Sequence, residues 1–500
     1  MANRTSLPHS NPSVSYWQQP PDGIADLRST ADLPQHADFV IIGSGISGSS
    51  IAFNLLTAKP ELKIVMLEAR QAASGASGRN GGHTKTATYR SFVENLHAVG
   101  EKDAIKTSKL EYDCMAAVHE FVKARGIDCD AKRCDTVDVF YDQGHLDEAK
   151  SAVALMEELI GDSHPTSKHT FYSAQEAKKQ FFAEDSLGCI KYEAGSLSAY
   201  KLTIGILKLA VDLGLNLQTN TPATSIRKST DNQSKTTWTV ETARGTISTA
   251  SLILATNGYT AHLLPELQDV IVPFRGIVTA QRPGHSMPHA GNLATTYSFI
   301  YKEGYEYMIT RPSIPTLPSA DTNGHGAAAN NTDKEDSPYD IVIGGGLTKT
   351  PDQGRSEFYT TDDSLSAILS SIETYLKDCT ADFHGTSWGT DHPLCRVRKT
   401  WSGIMGYSAD GFPLVGPYPG QDGLWIDASF QGHGMVLCWL CARAVSQMIL
   451  GTDVEEQLEM WFPDCFRVTE ERLKKKFSGR IVGREINEAE SVNGQSHVVE

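Results

Sequence analysis

The sequence contains no apolar run that approaches the roughly 18–20 residues a membrane-spanning helix requires, so no membrane partner is expected. Its opening stretch, MANRTSLPHSNPSVSYWQQPP, lacks the apolar segment of a secretory signal. Its last residues, HVVE, match neither a peroxisomal nor an ER-retention address, which leaves the cytoplasm as the expected compartment. Positive charge is in deficit. With 45 Lys and Arg against 60 Asp and Glu, the net charge of −15 argues against a nucleic-acid partner, which would call for a basic face. Cysteine is scarce too: nine residues, odd in number and irregular in spacing, argue against a disulfide framework and fit free thiols in a reducing compartment. Cys438 and Cys441 stand as C-x-x-C, but on a strongly apolar stretch of helical character, so they read as core and not as a redox or metal centre. No internal repeat, no Ser/His/Asp arrangement and no metal-ligand cluster is visible.

What is there is length and one strong motif. Five hundred residues exceed an ordinary domain and predict two consecutive or intertwined ones. At 40% apolar and 21% charged, the composition is that of a globular protein. From Ala37 the sequence reads ADFVIIGSGISG: Phe39 to Ile42 form a buried parallel strand, Gly43, Gly45 and Gly48 have the spacing G-x-G-x-x-G, and a helix follows. In such a unit the first glycine permits a tight turn, the second lets backbone approach a pyrophosphate, and the third lets helix pack on strand. The free amides and positive dipole at the helix start then face the phosphates. A second strand, Lys63 to Leu67, ends at Glu68, placed to accept hydrogen bonds from ribose hydroxyls; the neighbouring Arg70 decides nothing. By itself the motif admits NAD, NADP or FAD.

Along the chain, residues 1–36 read as a polar arm anchored by Tyr16 and Trp17. After the βαβ unit, Ala73 to His83 (ASGASGRNGGH) is a run of small residues able to bend round an anionic ligand. Helices are expected at Lys102–Arg125, Ala149–Ile160 and Ser173–Phe182, the last with Ser173 and Glu176 as a capping box. A strand is expected at Val137–Tyr141. A second α/β segment follows: a helix from Ala199 to Leu213, strands at Leu215–Thr219, Ala223–Arg227 and Thr237–Thr242, and an apolar strand Leu252–Ala255 ending in Thr256-Asn257-Gly258. Phe274–Gln281, Tyr297–Tyr301, Tyr305–Thr310 and Tyr339–Ile343 read as an antiparallel sheet, interrupted by a polar insertion at 312–338. Helices at Leu365–Tyr375 and Met435–Leu450 and a polar tail beyond about residue 475 complete the pattern.

In this order, GSGISG…EAR, ASGRNGGH, ILATNGY, WSGIMGYSADGFPLVG from Trp401 and SFQGHGM from Ser429 resemble the D-amino-acid oxidase-like superfamily of FAD oxidoreductases, over about residues 15–452. The SYW arm, the SGRNGG loop and the NGY turn look closest to the γ-glutamylputrescine oxidase and glycine/sarcosine oxidase-like branch. The resemblance implies an α/β (α+β) fold in which a discontinuous Rossmann-type FAD-binding domain (37–125, 195–264 and 396–452) alternates with a largely antiparallel substrate domain (126–194 and 265–395), the stretch 453–500 being a C-terminal extension.

Carried over residue by residue, Gly43, Ser44, Gly45, Ile46, Ser47 and Gly48 would face the pyrophosphate, and Glu68, with Ala69 and Arg70, the adenosine ribose. Ser77, Gly78, Arg79, Asn80, Gly81 and Gly82 would wrap the pyrophosphate and ribityl chain. Ala223 would reach adenine through its backbone, with Asn257 and Gly258 closing the same end. Gly432, His433, Gly434 and Met435 would open the last helix and aim its positive end at the flavin pyrimidine, favouring the anionic reduced flavin. Gly403 stands where the sarcosine oxidase branch has a flavin-linked cysteine, and His83 matches histidine-linked relatives only loosely, so FAD is expected to be non-covalent.

The implied chemistry is oxidation of the C–N bond of a small amine or amino acid: hydride passes to flavin N5, the imine hydrolyses to a carbonyl, and O2 reoxidises the flavin to give H2O2. The protein then has to orient and desolvate the substrate. Candidates are Arg275, able to hold a carboxylate in bidentate fashion, with Tyr305, Tyr307, Trp401 and His433. The lysine that relatives place in a strand resembling Asp340 to Gly344 is missing from DIVIG, which keeps a dehydrogenase with another electron acceptor open, and an NAD-linked dehydrogenase is a more distant alternative.

Overall fold

The computed structural model describes residues 5–162, 164–230, 236–314, 336–451 and 454–478. Most of the expected insertion and of the polar tail therefore lies outside the described residues. Two sheets organise the rest. The first has the strand order Leu414–Pro417, Leu424–Ala428, Gly245–Leu254, His36–Ile42, Ile64–Leu67, Asn216–Gln218, with a hairpin of Ala223–Thr230 and Thr236–Thr242 carried on Gly245–Leu254. Pairing from Leu424–Ala428 across to Asn216–Gln218 is parallel throughout.

Alternation explains why Phe39 to Ile42 show no polar break. Ile41 points into the core beneath helices Ile46–Ala58, Ala199–Asp212 and Cys438–Leu450, while Val40 and Ile42 point into the cluster on the opposite face. With both faces covered, both must be apolar. The turn into the helix needs glycine on steric grounds. Gly43 has φ +107°, and a Cβ there would meet the Ala255 carbonyl oxygen at 2.4 Å; a Cβ on Gly48 would lie 2.0 Å from the Gly43 oxygen.

The second sheet runs Val397–Ser408, Ile271–Gln281, Tyr339–Gly344, Gly304–Pro312, Thr296–Tyr301, Lys132–Phe140, Gly188–Ser196, His83–Lys85, with Thr170–Ser173 beside Gly188–Ser196. It is antiparallel except where Thr296–Tyr301 meets Lys132–Phe140. The mixed α/β fold with a largely antiparallel second sheet is thus the one expected. Strands His83–Lys85 and Val397–Ser408 belong to this second sheet, although the sequence expectation put both in the FAD-binding domain (37–125 and 396–452).

Element limits differ in places. The helix expected from Lys102 begins at Tyr89 and runs to Arg125, broken at Gly100 (φ 79°), where the change of direction hides the periodicity of its first part. The helix expected at Leu365–Tyr375 is a short 3-10 turn, Leu365–Ala367, followed by a helix Ser370–His384 whose buried face is Ile372, Leu376 and Cys379. The last helix starts at Cys438, not Met435, because a 3-10 turn, Gly434–Val436, precedes it. Ser173 and Glu176 do form the capping box.

The arm crosses both sheets. Ser13 N–H donates to the Asp363 carbonyl (2.7 Å), Tyr16 Oη to Asp340 (2.6 Å) and Trp17 Nε1 to the Asn80 carbonyl (2.6 Å). Arg311 lies over both rings of Tyr16 and Trp17.

Because the backbone oxygen of Gly43 cannot retreat, Gly48→Ala should destabilise the apoprotein by roughly 1–3 kcal/mol or more. Thermal unfolding without added cofactor measures this, with Ala52→Gly, in the interior of the same helix, as the propensity comparison.

Candidate active site

A cavity is lined by residues from both sheets. On the side of the first sheet, the helix Ile46–Ala58 starts at Gly45 with no side-chain cap and no acidic residue in its first turn. Its positive end is therefore uncompensated by the protein. Ile46 N–H donates to Ser77 Oγ (2.9 Å), which ties the helix start to the small-residue loop. Glu68 accepts from Ser44 N–H (3.1 Å), Ser44 Oγ (2.6 Å) and Arg70 N–H (2.9 Å), so its carboxylate is fixed at the strand end.

Of the residues assigned to the cofactor by resemblance, Gly43 to Ser47, Glu68, Ala69, Arg70, Ser77, Arg79, Asn80 and Gly81 line the cavity. So do Ala223, Asn257, Gly403 and Gly432 to Met435. Gly48, Gly78, Gly82 and Gly258 do not. Each makes a close approach instead: a Cβ on Gly78 would lie 2.3 Å from Ala73 O, on Gly82 2.5 Å from Leu197 O, and on Gly258 2.3 Å from Met405 O. These glycines let the lining loops pack. Asn257, at φ 46°, accepts at Oδ1 from Ser429 N–H (3.0 Å), joining the NGY turn to the turn that carries His433. Since Cys438 begins the α-helix, the residues Gly432 to Met435 precede it, and the full helix dipole starts one turn further on than expected.

The two arginines of this region are both paired. Arg70 and Arg79 share Asp363, at 2.9 and 3.4 Å. Arg79 also donates to Ser13 O (2.6 Å) and Ser402 O (3.0 Å), and burial pulls its pKa down to about 10.

The second sheet contributes one row of facing residues. Register aligns Asp138 with Ser298, Ser298 with Tyr307, Tyr307 with Gly344, Gly344 with Val278 and Val278 with Trp401. Directly opposed residues share a face of a sheet. Ser298, Tyr307 and Val278 line the cavity. The Tyr307 side chain fits against two glycines: a Cβ on Gly81 would come within 2.1 Å of its ring and one on Gly344 within 2.3 Å of its hydroxyl oxygen. Tyr305 and His433 also line the cavity.

Two candidates lie elsewhere. Arg275 does not line the cavity: its Nε and Nη2 donate to Glu357 (2.6 and 3.0 Å) and its Nη1 to Asp362 O (3.0 Å), a buried ion pair that leaves no fork for a substrate carboxylate. Trp401 is fully buried, donates from Nε1 to Arg79 O (2.7 Å) and stacks on Tyr16 at 6.2 Å.

Sequence reasoning missed a charged group on the cavity wall. In His83-Thr84-Lys85 the strand alternation turns His83 and Lys85 to the cavity and Thr84 away, to His119 (2.9 Å). Lys85 Nζ pairs with Asp138 and donates to Ser298 Oγ (2.7 Å), and Arg90, from the first turn of helix Tyr89–Arg125, pairs with the same carboxylate (2.6 Å). Opposite charges hold Asp138 well below the usual carboxylate range despite its burial. The available signal was an acid flanked by Val137, Val139 and Phe140 in the buried end of the strand Lys132–Phe140. His83, hydrogen-bonded to Thr296 (2.7 Å), is kept neutral by burial. Among the described residues no group of His, Cys, Asp and Glu could hold a metal ion, and no helix is long and apolar enough to cross a membrane.

Residues 38–448 match the family model DAO, FAD dependent oxidoreductase. The chain belongs to that family. Within the DAO family it is 26% identical over 430 residues to a probable oxidoreductase OrdL of Haemophilus influenzae, covering 84% of each chain. A glycine oxidase of Pseudomonas aeruginosa is 34% identical over 53 residues, 11% of this chain. Among solved structures, a glycine oxidase from Geobacillus kaustophilus superposes with TM-score 0.64 at 18% identity, over 87% of this chain and 99% of its own. An L-amino acid deaminase from Proteus vulgaris superposes at 0.61 and 17% identity, over 90% and 98%. The DAO-family fold and FAD dependence foreseen in the sequence are both borne out. The residues fit that cofactor: an uncapped helix start can take a pyrophosphate, and Glu68 stands at the end of the adjacent strand.

If Arg275 serves the fold and not the substrate, Glu357→Ala, which strands its charge, should lower stability by roughly 3–5 kcal/mol, whereas replacing both partners by Met and Leu should cost much less. Chemical denaturation of the three proteins gives the comparison, and flavin content per chain should remain that of the parent.

Proposed function

We propose that this DAO-family protein oxidises the C–N bond of a small amine or amino acid to an imine that hydrolyses to a carbonyl, and that its FAD is bound without a covalent link. When bound, FAD supplies the hydride acceptor at N5 and returns the electrons to O2 as H2O2. The observation that carries the reading is one cavity that has an uncapped helix start and Glu68 on one sheet and Tyr305, Tyr307 and Ser298 on the other. The relatives named above, a glycine oxidase and an L-amino acid deaminase, support the amine class.

In this reading the chain's residues bind, orient and exclude water. The amides at the start of Ile46–Ala58 would hold the pyrophosphate and Glu68 the ribose, and the Gly432–Met435 turn would face the isoalloxazine. Tyr305, Tyr307 and His433 are the positioning candidates that remain at the cavity; Arg275 and Trp401 support the walls.

The purified protein, supplied with FAD, should be yellow and should release its flavin on acid precipitation. Anaerobic mixing with primary, secondary and N-methyl amines, amino acids included, should bleach that flavin for at least one compound. A protein that takes up no FAD, or whose flavin no amine reduces, would sink the proposal. Rapid recovery of the oxidised spectrum in air with one H2O2 per turnover makes it an oxidase, and slow recovery without peroxide a dehydrogenase.

A further inference from the structure

The N-terminal arm reaches the cavity itself. Leu7 and Pro8 line it, as do Glu68 and Arg70, and His9, next along, accepts at its carbonyl from Arg70 Nη1 (3.3 Å). The stretch that carries them is held at two posts. At the first, Thr5 is buried and its N–H donates to Gln268 Oε1 (3.2 Å), while Gln268 Nε2 donates to Ala261 O (2.8 Å), beside the cavity-lining His262. At the second, Ser13 donates from N–H and Oγ to the Asp363 carbonyl (2.7 and 2.8 Å) and accepts at its own carbonyl from Arg79 Nη1 (2.6 Å). Between the posts, residues 6–12 form neither helix nor strand, and Ser6, Ser10 and Asn11 are exposed. Among the described residues, no backbone N–H of this span donates outside it. Its ties to the body are the His9 carbonyl and a contact of Ser6 Oγ with Thr361 Oγ1. A span bonded so sparsely can open at low cost while the sheets beneath it stay intact.

The walls at this end also hold polar atoms without partners. Tyr259 Oη, His262 Nε2 and Arg70 Nε are buried and unbonded, and all three side chains line the cavity. Such atoms cost free energy until something meets them. The Tyr259 hydroxyl lies within electrostatic reach of Arg70, Asp363 and Glu68, so the unmet atoms cluster where the span crosses. We propose that residues 6–12 are a latch on the cofactor: Leu7 and Pro8 complete the pocket for the adenosine end of FAD, and opening of the span sets the rate at which FAD leaves. This step rests on the placement of the ribose at Glu68 given above. An apolar pair suits the face of a base and keeps water from the polar contacts behind it. The latch is selective. FMN ends at its phosphate, with no second ribose for Glu68 and no base for Leu7 and Pro8, so the span gives it nothing.

The test compares three chains: the parent, one that lacks residues 1–12 and begins with a Met placed before Ser13, and Leu7→Gly/Pro8→Gly, which keeps both posts. Each apoprotein is loaded with FAD or with FMN, and release is followed on dilution by the return of free-flavin fluorescence. The shortened chain should release FAD roughly 30- to 100-fold faster and the double variant roughly 10-fold faster, while FMN release stays at the parent rate. ADP, the adenosine half alone, should bind both altered apoproteins more weakly than the parent. Unchanged FAD release in the double variant overturns the latch, whether or not the shortened chain folds. FMN release that quickens as much as FAD release overturns it too, because the arm would then act on the fold. Glu68→Gln tests the premise separately: FAD held there as tightly as in the parent removes the ribose placement, whereas weakened FAD there, with release indifferent to the arm, removes the latch alone.

Discussion

A carboxylate in a protein interior stays charged only if donors replace the water it has lost. Asp138 meets that condition with two cations and two tyrosine hydroxyls, drawn from the strand His83–Lys85, the helix Tyr89–Arg125 and the strand Gly188–Ser196. Neutralising it would release each of these partners at once. The far end of the second sheet and the helix that crosses it are thereby fixed relative to one another, and the cavity wall inherits its shape from a group that the cavity itself does not expose.

The half of the site proposed to bind the nucleotide was legible in the sequence, and for a definite reason. Pyrophosphate is recognised by backbone, so its binding leaves glycines at fixed spacing and one acid at a strand end, both of which survive as a linear pattern. The second half is assembled from register. Ser298, Tyr307 and Val278 come to one face only because Asp138, Ser298, Tyr307, Gly344, Val278 and Trp401 pair across six strands, and pairing partners carry no mark in the chain. Arg275 shows the same limit from the other side. As an arginine in an apolar strand it has the chemistry of a carboxylate receptor, but Glu357, more than eighty positions on, occupies it.

Glycine placement divides in a related way. Gly43 and Gly45 line the cavity, Gly43 while also packing against the Ala255 carbonyl, whereas Gly78, Gly82 and Gly258 lie off it and only approach other backbone. Sequence pattern alone cannot separate the two uses, since the steric demand for a missing Cβ is the same whether the neighbour is a ligand or a carbonyl oxygen. The short turn before the last helix is a further case: its GHGM sequence reads as a helix start, but the first regular turn waits until Cys438.

The arm gives the molecule an unusual schedule of construction. Ser13 reaches partners 350 and 389 residues ahead of it, and Tyr16 one that lies 324 ahead. During synthesis these residues leave the ribosome long before the strands around Asp340 and Ser402, so their berths do not exist until those strands have emerged. The strands of the second sheet that carry Asp340 and Ser402 must therefore be made before the arm can close the seam in which Arg79 donates to both Ser13 and Ser402.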